Sequence, residues 1–501
     1  MPLYGGAELS NQLILGLDIG TSSLKALFID IDGRILHKTE EKIATDYQGS
    51  ARAEQNAMDY LTALRKIAAA TADLSQRVVA VGLSGHTPSV VCIDEHGDPV
   101  RPVMTWQDNR AREEAVELKK YFDNPLETVG TSLPWSASAC PAKLFWLSRH
   151  EPEIREKVRW VLQPKDFIGF HLTGRAISDP WSTKGICNVL TKSPILNLLD
   201  FVGWSPEISP ELMDGFESRG EVSHKAGQFF GLPEGIPVSV GWSDAMSGMV
   251  AMGVMTEPTS FIITGTSAIV GSSSATPPSD GGQLYVIPTA CSPLSVTYGP
   301  TQSSGSSIEW ASQLLSLNST EFIEEAGRSE LVDLPIYLPY IDGERAPLWR
   351  PDLRGGFYGV GIQTKRADIA AAVLEGICLA ERQVVDNSEE LTGSVAPSIK
   401  LGGHAGNDWR GEKFRLRTLG RSIDRYEDTD TTTRGSAILA HAILTGDLTE
   451  STRKLASIPK RSEPSDFDRS YAISKYAEFK LAQRHSLDLA NYKAKQNILS
   501  K

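Results

Sequence analysis

Hydrophobic and polar positions are patterned most clearly near the start of the chain. Leu13–Ile19 is a continuous apolar run, and residues 24–31 alternate around Lys25. Asp32-Gly33 is a strong hairpin turn before a third extended run over residues 34–43. This predicts a three-stranded antiparallel meander. Leu61, Leu64, Ile67 and Ala68 then recur at helical spacing within residues 58–74, and extended runs follow at 78–83 and 90–94. The second half repeats the order loosely. Extended runs at 260–270, 283–288 and 294–299 precede a helix over 306–317 and a long amphipathic helix over 368–390. A strand at 398–402 and helices over 408–419 and 434–444 come next, and the polar stretch from Ser462 predicts a surface helix.

Each half carries a similar turn after an apolar strand: Asp18-Ile19-Gly20-Thr21-Ser22 and Ile263-Thr264-Gly265-Thr266-Ser267. The turns lie about half the chain apart. The pattern predicts a duplicated α/β domain with a cleft between the copies, divided into residues 1–248 and 249–501.

Composition narrows the function classes. The 501 residues include 50 Lys plus Arg against 62 Asp plus Glu, a formal charge of −12. Wrapping duplex nucleic acid needs a dense cationic surface, so no nucleic-acid partner is expected. Five scattered cysteines with no Cys-x-x-Cys pair argue against a disulfide scaffold and a thiolate zinc site. The longest uncharged stretch, 258–279, is rich in Gly, Ser, Thr and Pro and will not span a bilayer, and residues 1–11 are too short and polar for a signal peptide. A cytoplasmic protein without membrane contact is expected. No structural metal is expected, because no two histidines have ligand spacing.

The candidate chemistry sits in a few short segments. A Gly-Thr-Ser turn offers backbone N–H groups and two hydroxyls to an anion, and Asp18 beside the first turn is a hard oxygen ligand for water-coordinated Mg²⁺; a plain hairpin is the alternative. Asp244, isolated among small residues, is a general base or a helix N-cap. Gly402-Gly403 leaves room for a nucleotide base or is only a tight strand-to-helix turn. His86 and Thr87 follow a strand end, where ligands usually bind, although a lone histidine is more often structural. Trp106-Gln107-Asp108-Asn109-Arg110 suits a sugar, or starts a helix capped by Asp108. Walker, Rossmann, kinase glycine-loop, nucleophile-elbow and zincin motifs are all absent.

Together these segments resemble the FGGY carbohydrate kinases, most closely their xylulokinase-like branch. Leu17-Asp18-Ile19-Gly20-Thr21-Ser22-Ser23-Leu24-Lys25 resembles the family's first phosphate motif, and Lys143-Leu144-Phe145-Trp146-Leu147 the core of its first signature. Gly355-Gly356-Phe357-Tyr358-Gly359-Val360, with residues 368–375 after it, resembles the second signature, and Gly343-Glu344-Arg345-Ala346-Pro347 the segment before that.

The resemblance implies the actin-like ATPase fold of two RNase H-like α/β domains. It implies ATP- and Mg²⁺-dependent phosphorylation of a sugar, with D-xylulose to D-xylulose 5-phosphate as the first expectation. Another ketose, a polyol or an aldonate (D-ribulose or gluconate among them) is the alternative, and a non-catalytic sugar and ATP sensor is the reading from another class. Asp244 falls at the catalytic base position, and Asp18 would act on Mg²⁺ through water. Sugar contacts would come from His86, Thr87, Trp106, Asp108 and Asp244. ATP would be held by Gly20, Thr21, Ser22, Lys25, Gly265, Thr266, Ser267, Gly402, Gly403 and Asn407. A homodimer is one open oligomeric state. Two departures bear on the sugar: Pro88 stands where xylulokinases usually carry a substrate-contacting histidine, and Gly-Trp-Ser-Asp-Ala replaces Gly-Gly-Gly-Asp-Asn around Asp244.

Overall fold

The computed structural model describes residues 12–49, 51–404 and 409–499. Asn407 lies outside the described residues. The chain forms two compact units. The first comprises Met1–Thr256, Ile287–Pro293 and Asp430–Ala456; the second comprises Glu257–Val286, Leu294–Thr429 and Ser457–Lys501.

The first unit is built on a seven-stranded mixed sheet. Leu13–Ile19 pairs antiparallel with Ser23–Asp30, which pairs antiparallel with Ile35–Lys42, so the meander forms as the apolar runs and the Asp-Gly turn dictate. On its other side Leu13–Ile19 pairs parallel with Val78–Gly85. All seven residues of Leu13–Ile19 are buried, as expected of a central strand covered on both faces. One cover is the helix Ala57–Ala70, which packs Tyr60, Leu61, Leu64 and Ile67 into the core with Leu15, Leu17 and Phe28.

The other cover comes from far along the chain. The helix Thr431–Thr445 lies so close to the sheet that a Cβ on Gly16 would stand 2.8 Å from the Ala437 nitrogen, and one on Gly82 would overlap the Ser436 carbonyl. Its Gly435 in turn meets the backbone of Ser247 in the helix Asp244–Ala251. Three glycines thus allow a near backbone-to-backbone approach.

The second unit repeats the plan. Ser260–Thr264 pairs antiparallel with Ala268–Ser274 and parallel with Ser398–Gly403, within a second seven-stranded sheet. The run predicted as one strand over 260–270 is therefore two strands, parted by the Gly265-Thr266-Ser267 turn. The helix Arg366–Thr392 buries Ala370, Val373, Leu374 and Ile377, and Val384 and Val385 further along, into adjoining clusters of this unit. The helix Asp466–Leu499 adds Tyr476 and Phe479 to a third cluster. Among the described residues, no helix is long and apolar enough to cross a membrane, and all five cysteines are free and buried.

Candidate active site

In the first unit, three neighbouring strands end side by side. Ile19 pairs with Gly85, and Ser243 pairs with Gly85 from the other side through the short strand Trp242–Ser243. Gly20, His86 and Asp244 are the next residues along each strand, and the carboxyl ends of parallel strands are where α/β sheets present ligand-binding groups. Gly241 makes the approach possible: its φ is +83°, and a Cβ there would collide with the backbone of Leu83. The bulky Trp242 is accommodated because Gly215 has no side chain where the indole lies.

Asp244 is the first residue of its helix, and the cap is Ser243, whose hydroxyl accepts from the Met246 amide at 3.4 Å. The Asp244 carboxylate is therefore not spent as the cap; among the described residues it accepts only from the adjoining Ala245 amide, at 2.7 Å. Burial and the charge of Asp18 push its pKa up to about 7, against the opposing pull of the Ala245 amide and of Lys184. Such a carboxylate is poised for proton transfer near neutrality.

Asp18 is buried. Its Oδ2 accepts from Thr432 at 2.7 Å, whereas Oδ1 has no hydrogen-bond partner among the described residues. Burial raises its pKa, opposed by the hydroxyls of Thr432 and Ser84, while Asp430 raises it further. Ser84 Oγ is buried and makes no hydrogen bond of normal geometry among the described residues. Lys25 reaches Asp430 at 3.5 Å.

The turn after Asp18 is fixed from both sides. The Gly20 amide donates to Ser23 O at 2.9 Å, and Gln55 donates to Thr21 O at 2.6 Å. Thr21 is half-buried and Ser22 exposed. Trp106, 39% exposed, donates its indole N–H to Thr21 Oγ1 at 2.9 Å. The aromatic face expected to meet a sugar is thus tied to the turn expected to meet phosphate.

His86 is fully buried. Its Nδ1 is 2.8 Å from Ser89 Oγ, and its Nε2 has no partner among the described residues. Burial and Lys143 push its pKa down to about 3, so the imidazole is neutral throughout the working range. Thr87 is half-buried beside it.

Asp108 is buried and occupied. Arg110 donates to it from Nε at 2.9 Å, and the Ala53 amide donates at 3.0 Å. Burial would raise its pKa, but the Arg110 and Ala53 bonds outweigh that and hold it below the usual carboxylate value. It does not cap a helix either; the next one, Arg112–Tyr121, begins later. Its position fixes the loop that carries Trp106.

Two lysines in this unit were given no role by sequence reasoning. Lys143 is buried and donates to the carbonyls of Pro88, Met104 and Thr105, at 3.0, 3.4 and 2.7 Å. It thereby ties the His86 segment to the Trp106 loop. Lys184 is buried near Asp244. Lys143 carried a signal, its place in the family signature; Lys184 carried none, since a lone lysine reads as a surface residue. Thr432 had only the run of threonines that opens its helix.

In the second unit the corresponding turn is closed one residue tighter. The Gly265 amide donates to Ser267 O at 2.8 Å. The Ser304 and Ser306 amides donate to Thr266 O at 3.1 and 3.0 Å, and the Gly305 amide donates to Gly265 O at 2.9 Å. Gly402 and Gly403 pair with Ile263 and Thr264, so both glycines end the strand beside this turn. Gly403 has φ +91°, and a Cβ there would strike the Thr264 carbonyl. Thr266 is exposed and Ser267 half-buried. Gly265, Thr266, Ser267, Gly402 and Gly403 thus form one cluster.

A model of the N-terminal domain of the FGGY family of carbohydrate kinases matches residues 13–251, and a model of that family's C-terminal domain matches residues 260–443. The chain belongs to the FGGY family of carbohydrate kinases. As a member it is a phosphotransferase that uses ATP to phosphorylate a carbohydrate. The xylulose kinase of Staphylococcus xylosus is 26% identical over 404 residues, covering 79% of this chain and 83% of its own. The gluconokinase of Bacillus subtilis is 25% identical over 421 residues, covering 79% and 81%. The solved structure of ligand-bound xylulose kinase from Lactobacillus acidophilus matches with a TM-score of 0.87 at 20% identity, covering 95% of this chain and 98% of the other. This likeness shows the fold, the actin-like ATPase architecture of the FGGY kinases.

Proposed function

We propose that this FGGY kinase phosphorylates the terminal hydroxyl of a pentulose, D-xylulose giving D-xylulose 5-phosphate. The observation that carries the reading is Asp244: a partly buried carboxylate with a near-neutral pKa, set beside the Gly20 turn and His86 at one row of strand ends. Asp244 takes the proton of the hydroxyl as its oxygen attacks the γ-phosphorus, and the bond to the ADP oxygen breaks. His86 offers its unpaired Nε2 to a sugar hydroxyl, Thr87 adds a hydroxyl, and Trp106 covers a C–H face. Asp108 supports the loop through Arg110. The xylulose kinases among its relatives favour the pentulose.

The phosphates of ATP fall to the turns at Gly20, Thr21 and Ser22 and at Gly265, Thr266 and Ser267, with Lys25 as a nearby cation. The adenosine falls to Gly402 and Gly403, with Asn407 beyond them. A magnesium ion fits Asp18, whose Oδ1 is buried without a partner among the described residues. Among the described residues no group of three or more His, Cys, Asp and Glu could hold a metal ion. Contact through water, with phosphate oxygens completing the shell, suits that donor set. Bound there, Mg²⁺ would supply charge neutralisation of the phosphates.

Gluconate is the second reading, favoured by the gluconokinase relative and by Pro88, which removes a side-chain donor from the acceptor pocket. An ADP-release screen over ketopentoses, ketohexoses, alditols and aldonates, with ³¹P NMR of the product, tests both. Fastest turnover with D-xylulose is expected; turnover of gluconate alone overturns the pentulose.

A further inference from the structure

Lys184 lies between the short strands Ile177–Ser178 and Cys187–Asn188. Its side chain is buried, with Nζ 4.2 Å from the ring centroid of Trp181, which is itself almost wholly buried. The seat is therefore fixed. Among the described residues, the ammonium makes no hydrogen bond and no ion pair within 4.0 Å; its charged and titratable neighbours are Asp179, Asp244, Cys140 and Cys291. The backbone is left-handed at Lys184, with φ +47°, a conformation that non-glycine residues adopt at a cost and that clusters at functional sites.

An aromatic face attracts an ammonium but accepts no strong hydrogen bond from it. Lys184 keeps 9% exposure, so its ammonium is reachable from solvent, and an acceptor that displaces the water there has to offer it an oxygen. Burial accordingly pulls the Lys184 pKa down to about 8, while Asp179 and Asp244 pull it back up.

The chemistry of the acceptor supplies such an oxygen. A five-carbon 2-ketose closes its ring through its C5 hydroxyl. A C5 hydroxyl free to lose its proton to Asp244 therefore belongs to the open-chain form, whose C2 carbonyl is unmasked and needs a donor. Resting on the pentulose reading above, we propose that Lys184 is a specificity residue whose ammonium donates to the sp² oxygen of the acceptor, the C2 carbonyl of an open-chain 2-ketose.

The test is steady-state kinetics of Lys184→Met and Lys184→Arg at saturating ATP, with D-xylulose and with xylitol, which carries a hydroxyl in place of the carbonyl. Methionine keeps an unbranched stem over Trp181. Lys184→Met should cut the D-xylulose-over-xylitol preference in kcat/KM roughly 10–100-fold, the loss expected for one charge-assisted hydrogen bond. The change should lie mainly in KM for the ketose, Lys184→Arg should recover part of it, and the KM for ATP should hold. An unchanged preference in Lys184→Met, or an equal loss on both acceptors in both variants, overturns the proposal and makes Lys184 a packing residue. A wild-type enzyme that takes gluconate and not D-xylulose overturns the pentulose reading alone. Lys184 is then judged on gluconate against glucitol, where the same fall in preference supports it and an unchanged preference refutes it.

Discussion

The ammonium of Lys143 donates to the carbonyl of Pro88 at 3.0 Å. Pro88 follows His86 and Thr87, and the same ammonium holds Thr105, next to Trp106. One buried side chain therefore sets the spacing of two segments assigned to the sugar. Lys143→Met leaves buried carbonyls unpaired, at ~1–3 kcal/mol for each one not rescued by water. Urea denaturation should show a stability loss of at least about 1 kcal/mol, and KM for the sugar should rise while KM for ATP holds. Unaltered stability and sugar KM together would remove Lys143 from this role.

Asp244→Asn should lower kcat by ~10²–10⁴-fold, the usual worth of a positioned general base, with nucleotide binding by calorimetry retained. The same substitution should raise the thermal midpoint at pH 8. A folded-state pKa of about 7, against an ordinary 3.8, means that the fold disfavours the charged form. The stability present below pH 3.8 is lost as pH rises through 7, and asparagine avoids that loss. At pH 4 the advantage should vanish.

The pH profile follows from the same carboxylate. The base must be ionised, so kcat/KM for the sugar should climb through pH 7 as a single deprotonation, with about a tenth of the plateau at pH 6. Residual activity in Asp18→Asn should show this limb displaced to lower pH, because the Asp18 charge is one of its causes. A limb that stays near pH 7 in Asp18→Asn would assign it to another group.

His86→Ala should reduce kcat/KM for the true sugar and flatten the ranking among its epimers, with ATP affinity unchanged. A buried donor or acceptor left unpaired by the wrong epimer is a strong discriminator. The imidazole, with its pKa near 3, should contribute no limb to the profile between pH 5 and 9. Equal epimer ranking before and after the substitution would make His86 a packing residue for Tyr60 and Ser89.

Much of this was legible in the sequence because it is local. Apolar runs, Asp-Gly at 32–33 and the glycine turns at 20 and 265 specify strand, turn and strand within short windows, and Asp18 and Asp244 stand out as acids in otherwise uncharged segments. What was illegible depends on partners distant in sequence or on orientation. Asp108 reads as a sugar ligand or a helix cap, and only the folded loop shows Arg110 and Ala53 taking its oxygens. Trp242 reads as an intrusion beside the base until Gly215 is seen to make room for it. The helix Thr431–Thr445 is predictable by its periodicity, but nothing in that periodicity says which sheet it joins.

That helix imposes an order of events on a growing chain. The sheet of the first unit is translated early, yet the surface that carries Gly16 and Gly82 stays bare until Asp430–Ala456 emerges, after most of the second unit has been made. At ~5–20 residues per second the wait is roughly ten seconds or longer. During it, Asp18 also lacks the hydroxyl of Thr432. The part begun first is thus the part finished late, and a nascent chain halted before residue 430 exposes an apolar sheet face for a chaperone to hold.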